Sequence, residues 1–220
     1  MDSRENFFQS SWDRCWRGLG VNTDGHQLMI RIIEAYNEPH RKYHNEEHLI
    51  DCLRLFAYHR HLANEPDEVE IALWFHDAIY DVKANDNEAR SARWAVDELK
   101  QAGISKERIS RVCNNIIATC HLSVLEKIDE QLVVDIDLSI FGASPAQFLE
   151  YERRIRDEYK WVEDYTFCRK RWEILAEFLF RSSLYNTIIF QQLFEKQARI
   201  NLLNSLRNLS GYSYICTFQK

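Results

Sequence analysis

ALWFHDAIYD, residues Ala72–Asp81, is the stretch on which the reading of this chain turns. In a helical register Val69, Ala72, Leu73, His76 and Tyr80 share one stripe, because steps of three or four residues return to the same face. His76 then points to the interior, and Asp77, four residues after Leu73, flanks it at the edge of the stripe. An imidazole and a carboxylate carried into apolar surroundings are costly unless something neutralises and bonds them. A divalent metal ion does both. The alternative is structural: a buried histidine bonded to a nearby carbonyl, with Asp77 solvated at the helix edge. Both readings stand on this stretch alone.

The surrounding chain is built for helices. It has 220 residues, 45% of them hydrophobic and 13% aromatic, but only six glycines and three prolines. So few breakers over this length favour long helices over many short strands, and the length suits one domain with a substantial core. A net charge of -6 gives no overall basic field, so nucleic acid is not an expected partner. No apolar run is long enough to span a bilayer, and MDSRENFFQSSW lacks the charged-then-apolar layout of a signal peptide. Six cysteines without CxxC pairing fit reduced, mostly buried thiols, so a cytoplasmic location is expected.

Read in order, the apolar periods predict a first helix over 3–19 and a second capped by Thr23 or Asp24, with Leu28, Ile32, Ile33 and Tyr36 on its inner face. After Pro39 the loop NEPHRKYHNEEH leads into a third helix ending near His59. Pro66 and the acidic residues behind it open the helix that carries His76 and Asp77. Asn85 with Glu88 resembles a capping box for a helix to about Gln101, and Ser105 opens the next, whose apolar stripe ends at His121. Residues 129–141 fit either a helix or a strand. Further helices are expected from Ser144–Pro145 to about Trp161, over 163–182 and over 186–208. The tail 210–220 has no clear period and is expected to be loosely held.

Other residues carry chemistry at suggestive spacing. His44 and His48 stand one helical turn apart, which lets two imidazoles approach one site, although both also fit a solvated surface in YHNEEH. If 129–141 is a helix, Asp137 falls between Val133 and Phe141 on the apolar side, while Asp135 falls with Gln131 and Ser139 on the polar one. A carboxylate inside an apolar arc needs a partner, which makes Asp137 the better ligand candidate. His121, by position alone, fits a satisfied core or helix-end histidine. The basic residues from Arg153 to Lys160 and from Arg169 to Arg171 read as a solvated face, from which one or two guanidinium groups could fork onto phosphate.

Taken together, His48, His76-Asp77 and Asp137 reproduce the His…His-Asp…Asp order of the HD superfamily of metal-dependent phosphohydrolases. The chain resembles one subgroup, predicted HD-superfamily hydrolases of uncharacterised substrate, through RKYHNEEH at 41–48, WFHDAIYD at 74–81, DNEARSA at 86–92 and TCH at 119–121. The resemblance continues in DIDLSIFG at 135–142, YERRIRDEY at 151–159, RWEIL at 171–175, LYNTIIF at 184–190 and FEKQARINL at 194–202. It covers roughly residues 36–209. It implies an all-α, single-domain HD-type helical bundle, with helices in 1–35 packing on a core formed by 36–209.

The same resemblance implies His48, His76, Asp77 and Asp137 as metal ligands. YHN at 43–45 also looks like the corresponding stretch of cyclic-nucleotide phosphodiesterases, which makes His44 the candidate acid towards the leaving group. His121 gains a possible role at a second metal or at phosphate. The expected activity is hydrolysis of a phosphate ester, a phosphomonoester or nucleotide, by a metal-activated water, with Asp77 and His44 as catalytic residues. Two imidazoles and two carboxylates suit Mn, Fe, Co, Ni, Zn or Mg. Arg41, Arg156 and His121 are the candidate contacts to a small phosphorylated substrate. The rival expectation is an HD module that binds metal or nucleotide without turnover, since a fold does not establish a reaction.

Overall fold

The computed structural model describes residues 3–121 and 125–217, with side chains described from residue 4 to residue 210 within those ranges. Every element among the described residues is helical. The chain forms two compact units, Met1–Asp137 and Leu138–Lys220, divided at a boundary that the sequence reading did not draw.

The first unit holds α1 (Ser3–Gly18), α2 (His26–Tyr36), α3 (Glu46–His59), α4 (Pro66–Phe75), α5 (Asn87–Gln101), α6 (Lys106–Ala118) and α7 (Ile128–Asp137). Its centre is α4, with Pro66 in the first turn as expected. Every residue from Glu68 to Phe75 is buried, because α1, α3, α5, α6 and α7 all pack on it. Fully burying side chains such as Ile71, Leu73, Trp74 and Phe75 contributes roughly 1.5–3 kcal/mol each. Two carboxylates go in with them. Glu68 accepts from Arg108 at 2.8 Å and Arg111 at 2.7 Å. Glu70 accepts from Ser11 at 2.7 Å and from Arg14 at 3.0 Å. Buried acids survive only when paired in this way.

Two caps differ from expectation. The N-cap of α2 is Gly25, whose φ of 62° is the left-handed region that glycine occupies freely, and a Cβ there would meet the Trp16 ring at 2.7 Å. Asp24 contributes instead by accepting from the His26 amide at 3.1 Å. The N-cap of α5 is Asp86, one residue after the expected Asn85, and its side chain makes no capping hydrogen bond. Asn45, Ser105 and Ser144 cap their helices through the side chain, the last with Gln147 in a full capping box.

Residues 128–137 are helix, which resolves the strand alternative, but Asp135, assigned to the polar side, is buried while Gln131 and Ser139 are half-buried. Leu132 to Ile136 are all buried, Asp135 included, since α7 lies against α3, α4 and α6 and has little circumference left for solvent. In the second unit α8 (Pro145–Glu158), α9 (Asp164–Phe180), α10 (Ile188–Phe190) and α11 (Lys196–Thr217) follow, with one π-helical stretch at Gln191–Glu195 between the last two. Arg199 of α11 donates to the carbonyls of Leu179, Arg181 and Ser182, closing the C-terminal end of α9. The expected loose tail begins instead as helix, since α11 runs on to Thr217; residues 218–220 lie outside the described residues. No single helix among the described residues is long and apolar enough to cross a membrane.

Candidate metal centre

The expected helix over 72–81 stops early. α4 ends at Phe75, His76 is its C-cap, and Asp77 lies beyond it. The cause is a set of side chains that take over the backbone groups a longer helix would have satisfied itself. Arg41 donates to the carbonyls of Asp77 at 2.6 Å, Ala78 at 3.0 Å and His44 at 3.1 Å. The Tyr36 hydroxyl accepts from the Asp77 amide at 3.2 Å. The turn this creates lets His76 and Asp77, adjacent in sequence, point to the same place.

They meet three other helices there. His48, in the first turn of α3, brings its Nε2 to 3.1 Å from His76 Nε2 and 3.5 Å from Asp77 Oδ2. Asp137, the last residue of α7, places Oδ1 3.3 Å from His48 Nε2 and 3.8 Å from His76 Nε2. His76 Nε2 is 3.3 Å from Asp77 Oδ2. Just past α6, His121 directs Nε2 to within 3.4 Å of the other Asp137 oxygen, Oδ2. Each of the two imidazole nitrogens therefore has one oxygen of Asp77 and one of Asp137 within 3.3–3.8 Å. Ligand bonds of about 2.1 Å put neighbouring ligand atoms roughly 3.0 Å apart in an octahedron and 3.4 Å apart in a tetrahedron, so the observed spacings fit a metal ion.

The tautomer of His76 fits too. Its Nδ1–H donates to the Leu73 carbonyl at 2.7 Å, which leaves Nε2 facing the cluster. Electrostatics follow from the crowding. Burial by itself would push both carboxyls up, but His76 holds Asp77 well below the usual carboxylate range, and hydrogen bonds from His121 and His48 do the same for Asp137. Burial would lower His76, yet Asp77 first and Asp137 next raise it to about 9.

One member of the cluster was missed from sequence. Cys52, four residues after His48 on α3, joins His48, His76 and Asp137 in a buried group that could hold a metal ion. The i, i+4 spacing from His48 was the available signal. Its Sγ lies 3.8 Å from both ring nitrogens of His48, and burial pushes the thiol well above its ordinary pKa.

The remaining candidates make other contacts. His44 is half-buried and stacks on Tyr80 with ring centroids 4.2 Å apart; its centroid is 6.0 Å from that of His48. Arg41 is engaged by the protein itself. Its side chain is fully buried, donates to Glu38 at 3.1 Å besides the three carbonyls, and lies over the Tyr36 and Tyr80 rings. Arg156 belongs to the second unit, where it donates to the Tyr159 and Val162 carbonyls and to Asp164. No family model matches this chain, and no curated protein or solved structure matches it either.

Proposed function

We propose that this protein is a metal-dependent phosphohydrolase that cleaves a phosphate ester of a small molecule, a phosphomonoester or nucleotide, in the cytoplasm. The observation that carries the reading is the convergence of His48 Nε2, His76 Nε2, Asp77 Oδ2 and Asp137 Oδ1 within 3.1–3.8 Å for five of their pairs. The resemblance of this ligand order to HD-superfamily hydrolases supplies the reaction class. Of the five side chains gathered there, Asp77 is taken as the fourth ligand on the resemblance and on its 3.3 and 3.5 Å approaches to the two imidazoles, with Cys52, 3.8 Å from the His48 ring nitrogens, as the rival donor.

A divalent ion bound to this set supplies Lewis acidity towards phosphoryl oxygen and a water of lowered pKa. The mixed nitrogen and oxygen donors suit Mn, Fe, Co, Ni, Zn or Mg. His76 is oriented by the Leu73 carbonyl. His44, held by its stack on Tyr80 at the margin of the cluster, is the group to deliver a proton to the departing oxygen. A second reading, a metal- or nucleotide-binding module without turnover, is favoured by one observation: the guanidinium expected to grip phosphate, Arg41, is spent on backbone carbonyls.

The test is a screen of phosphomonoesters, nucleotides and cyclic diesters with each added divalent ion, run beside elemental analysis of protein purified without chelator. Ion-dependent phosphate release that Asp77→Ala abolishes is the expected result. Metal uptake and tight nucleotide binding with no release from any substrate would leave the silent module standing instead.

A further inference from the structure

We propose that His121 is a positioning residue for the metal-binding carboxylate of Asp137, held in place by an unfavourable backbone conformation. The inference rests on the metal-site reading above and adds to it a residue that touches neither ion nor substrate. Two independent observations meet in it. The first is geometric. Asp137 turns Oδ1 towards His48 and His76, while its other oxygen, Oδ2, faces His121 Nε2 at 3.4 Å. A carboxylate divided in this way has one oxygen for the ion and one for an N–H donor, which is how ligand orientation is usually fixed.

The second is conformational. His121 is the only non-glycine with positive φ among the described residues, at 58°. The chain has just left α6, and the amides of Thr119, Cys120 and His121 fold back onto Ile116, Ile117 and Ala118. At such a helix exit the left-handed residue is most often glycine, which has no Cβ to crowd the backbone. Here the position carries an imidazole. Were a chain reversal all that was required, glycine would serve better. The left-handed turn sends the histidine side chain away from the direction α6 was following and onto α7's last residue. An unfavourable backbone kept at the margin of a cluster of charged side chains is the pattern expected where geometry matters more than local stability.

His121→Gly separates the two roles, since it removes the ring and relaxes the backbone together. Binding of Co(II) to the full chain is followed by its visible absorption spectrum and by competition with a chelator. The expected result is roughly 10–100-fold weaker Co(II) binding in His121→Gly, with an altered spectrum, an unchanged or raised melting temperature of the metal-free protein, and partial recovery of affinity on adding free imidazole. His121→Asn, which also tolerates the left-handed region but is too short to reach Asp137, should lose affinity similarly. Wild-type affinity and spectrum in His121→Gly would overturn the proposal while leaving the metal site intact. So would two ions in the wild type falling to one in the variant, because His121 would then be a ligand. A wild type that takes up no Co(II) would remove the metal-site reading itself, and the two failures are distinguishable on that basis.

Discussion

His48 Nε2 and His76 Nε2 stand 3.1 Å apart, closer than two lone pairs can face each other without a proton or a cation between them. The rings come from helix α3 and the C-cap of α4, and Asp77 and Asp137 bring oxygens to 3.5 and 3.3 Å from His48 Nε2. A proton between the two nitrogens would satisfy that contact, and so would a metal ion.

The first prediction concerns which atoms hold the ion. His76→Ala, Asp77→Ala and Asp137→Asn should each remove stoichiometric metal, whereas Cys52→Ala should retain it, because the thiol stands farther from the His48 ring, at 3.8 Å, than either carboxylate does. Metal at a hundredfold excess over Kd should stabilise the wild type by about 2.7 kcal/mol. Elemental analysis and thermal melts with and without EDTA read both effects. Full metal content in Asp77→Ala with loss in Cys52→Ala would reverse the assignment.

The second follows from His76, which its acidic neighbours raise to about 9 against burial. Because the folded value is raised, the proton's contribution to stability of the metal-free protein is fully present below the unfolded value, about 6.5, and is lost as pH climbs through about 9. Metal needs the same nitrogen. Binding near neutral pH should therefore release a proton, and affinity should strengthen with pH until about 9. Calorimetric titration in two buffers of different ionisation enthalpy measures the release directly. Identical heats in both, with an affinity flat across neutral to mildly basic pH, would contradict it.

The third treats Arg41 as a clamp. Its fully buried side chain binds the carbonyls of His44, Asp77 and Ala78, tying the loop before α3 to the turn after α4. Arg41→Met should leave these acceptors short of donors and destabilise the fold by about 3 kcal/mol, judged by urea denaturation. Metal affinity should fall with it, since the same turn presents Asp77. A residue that only gripped substrate would raise KM and leave the denaturation midpoint where it was.

The helices were legible because their signals are local: Pro66 at a first turn, Ser144 with Gln147 as a capping box, few glycines between. What sequence could not show was where long-range partners override the local period. The stripe through Leu73, His76 and Tyr80 continues past Phe75, but the Tyr36 hydroxyl, some 41 positions earlier, takes the Asp77 amide and Ser91 takes that of Ile79, so the bonds that would have extended α4 go elsewhere. Asp135 misled in a different way. Polar and apolar faces diagnose a helix half in water, and α7 is enclosed on nearly all sides, so the pattern chose Asp137 while misjudging its neighbour's burial. The carbonyl contacts of Arg41 and Arg156 were hidden for a related reason, since a guanidinium in sequence carries no mark of whether carbonyls have already taken its donors.

The last prediction separates an enzyme from a silent module through His44. Its ring is kept at the edge of the cluster by Tyr80, with centroids 4.2 Å apart, where its charge helps to hold the Asp77 carboxyl low. His44→Gln should thus keep metal content while lowering kcat by roughly a hundredfold on substrates whose leaving group is a poor alkoxide. An aryl phosphate, whose leaving group needs no proton, should be hydrolysed nearly as fast as by the wild type. The contrast between the two substrates is the informative quantity, because a merely disturbed site would slow both alike. Equal losses on the aryl and alkyl esters would remove His44 from the role of proton donor.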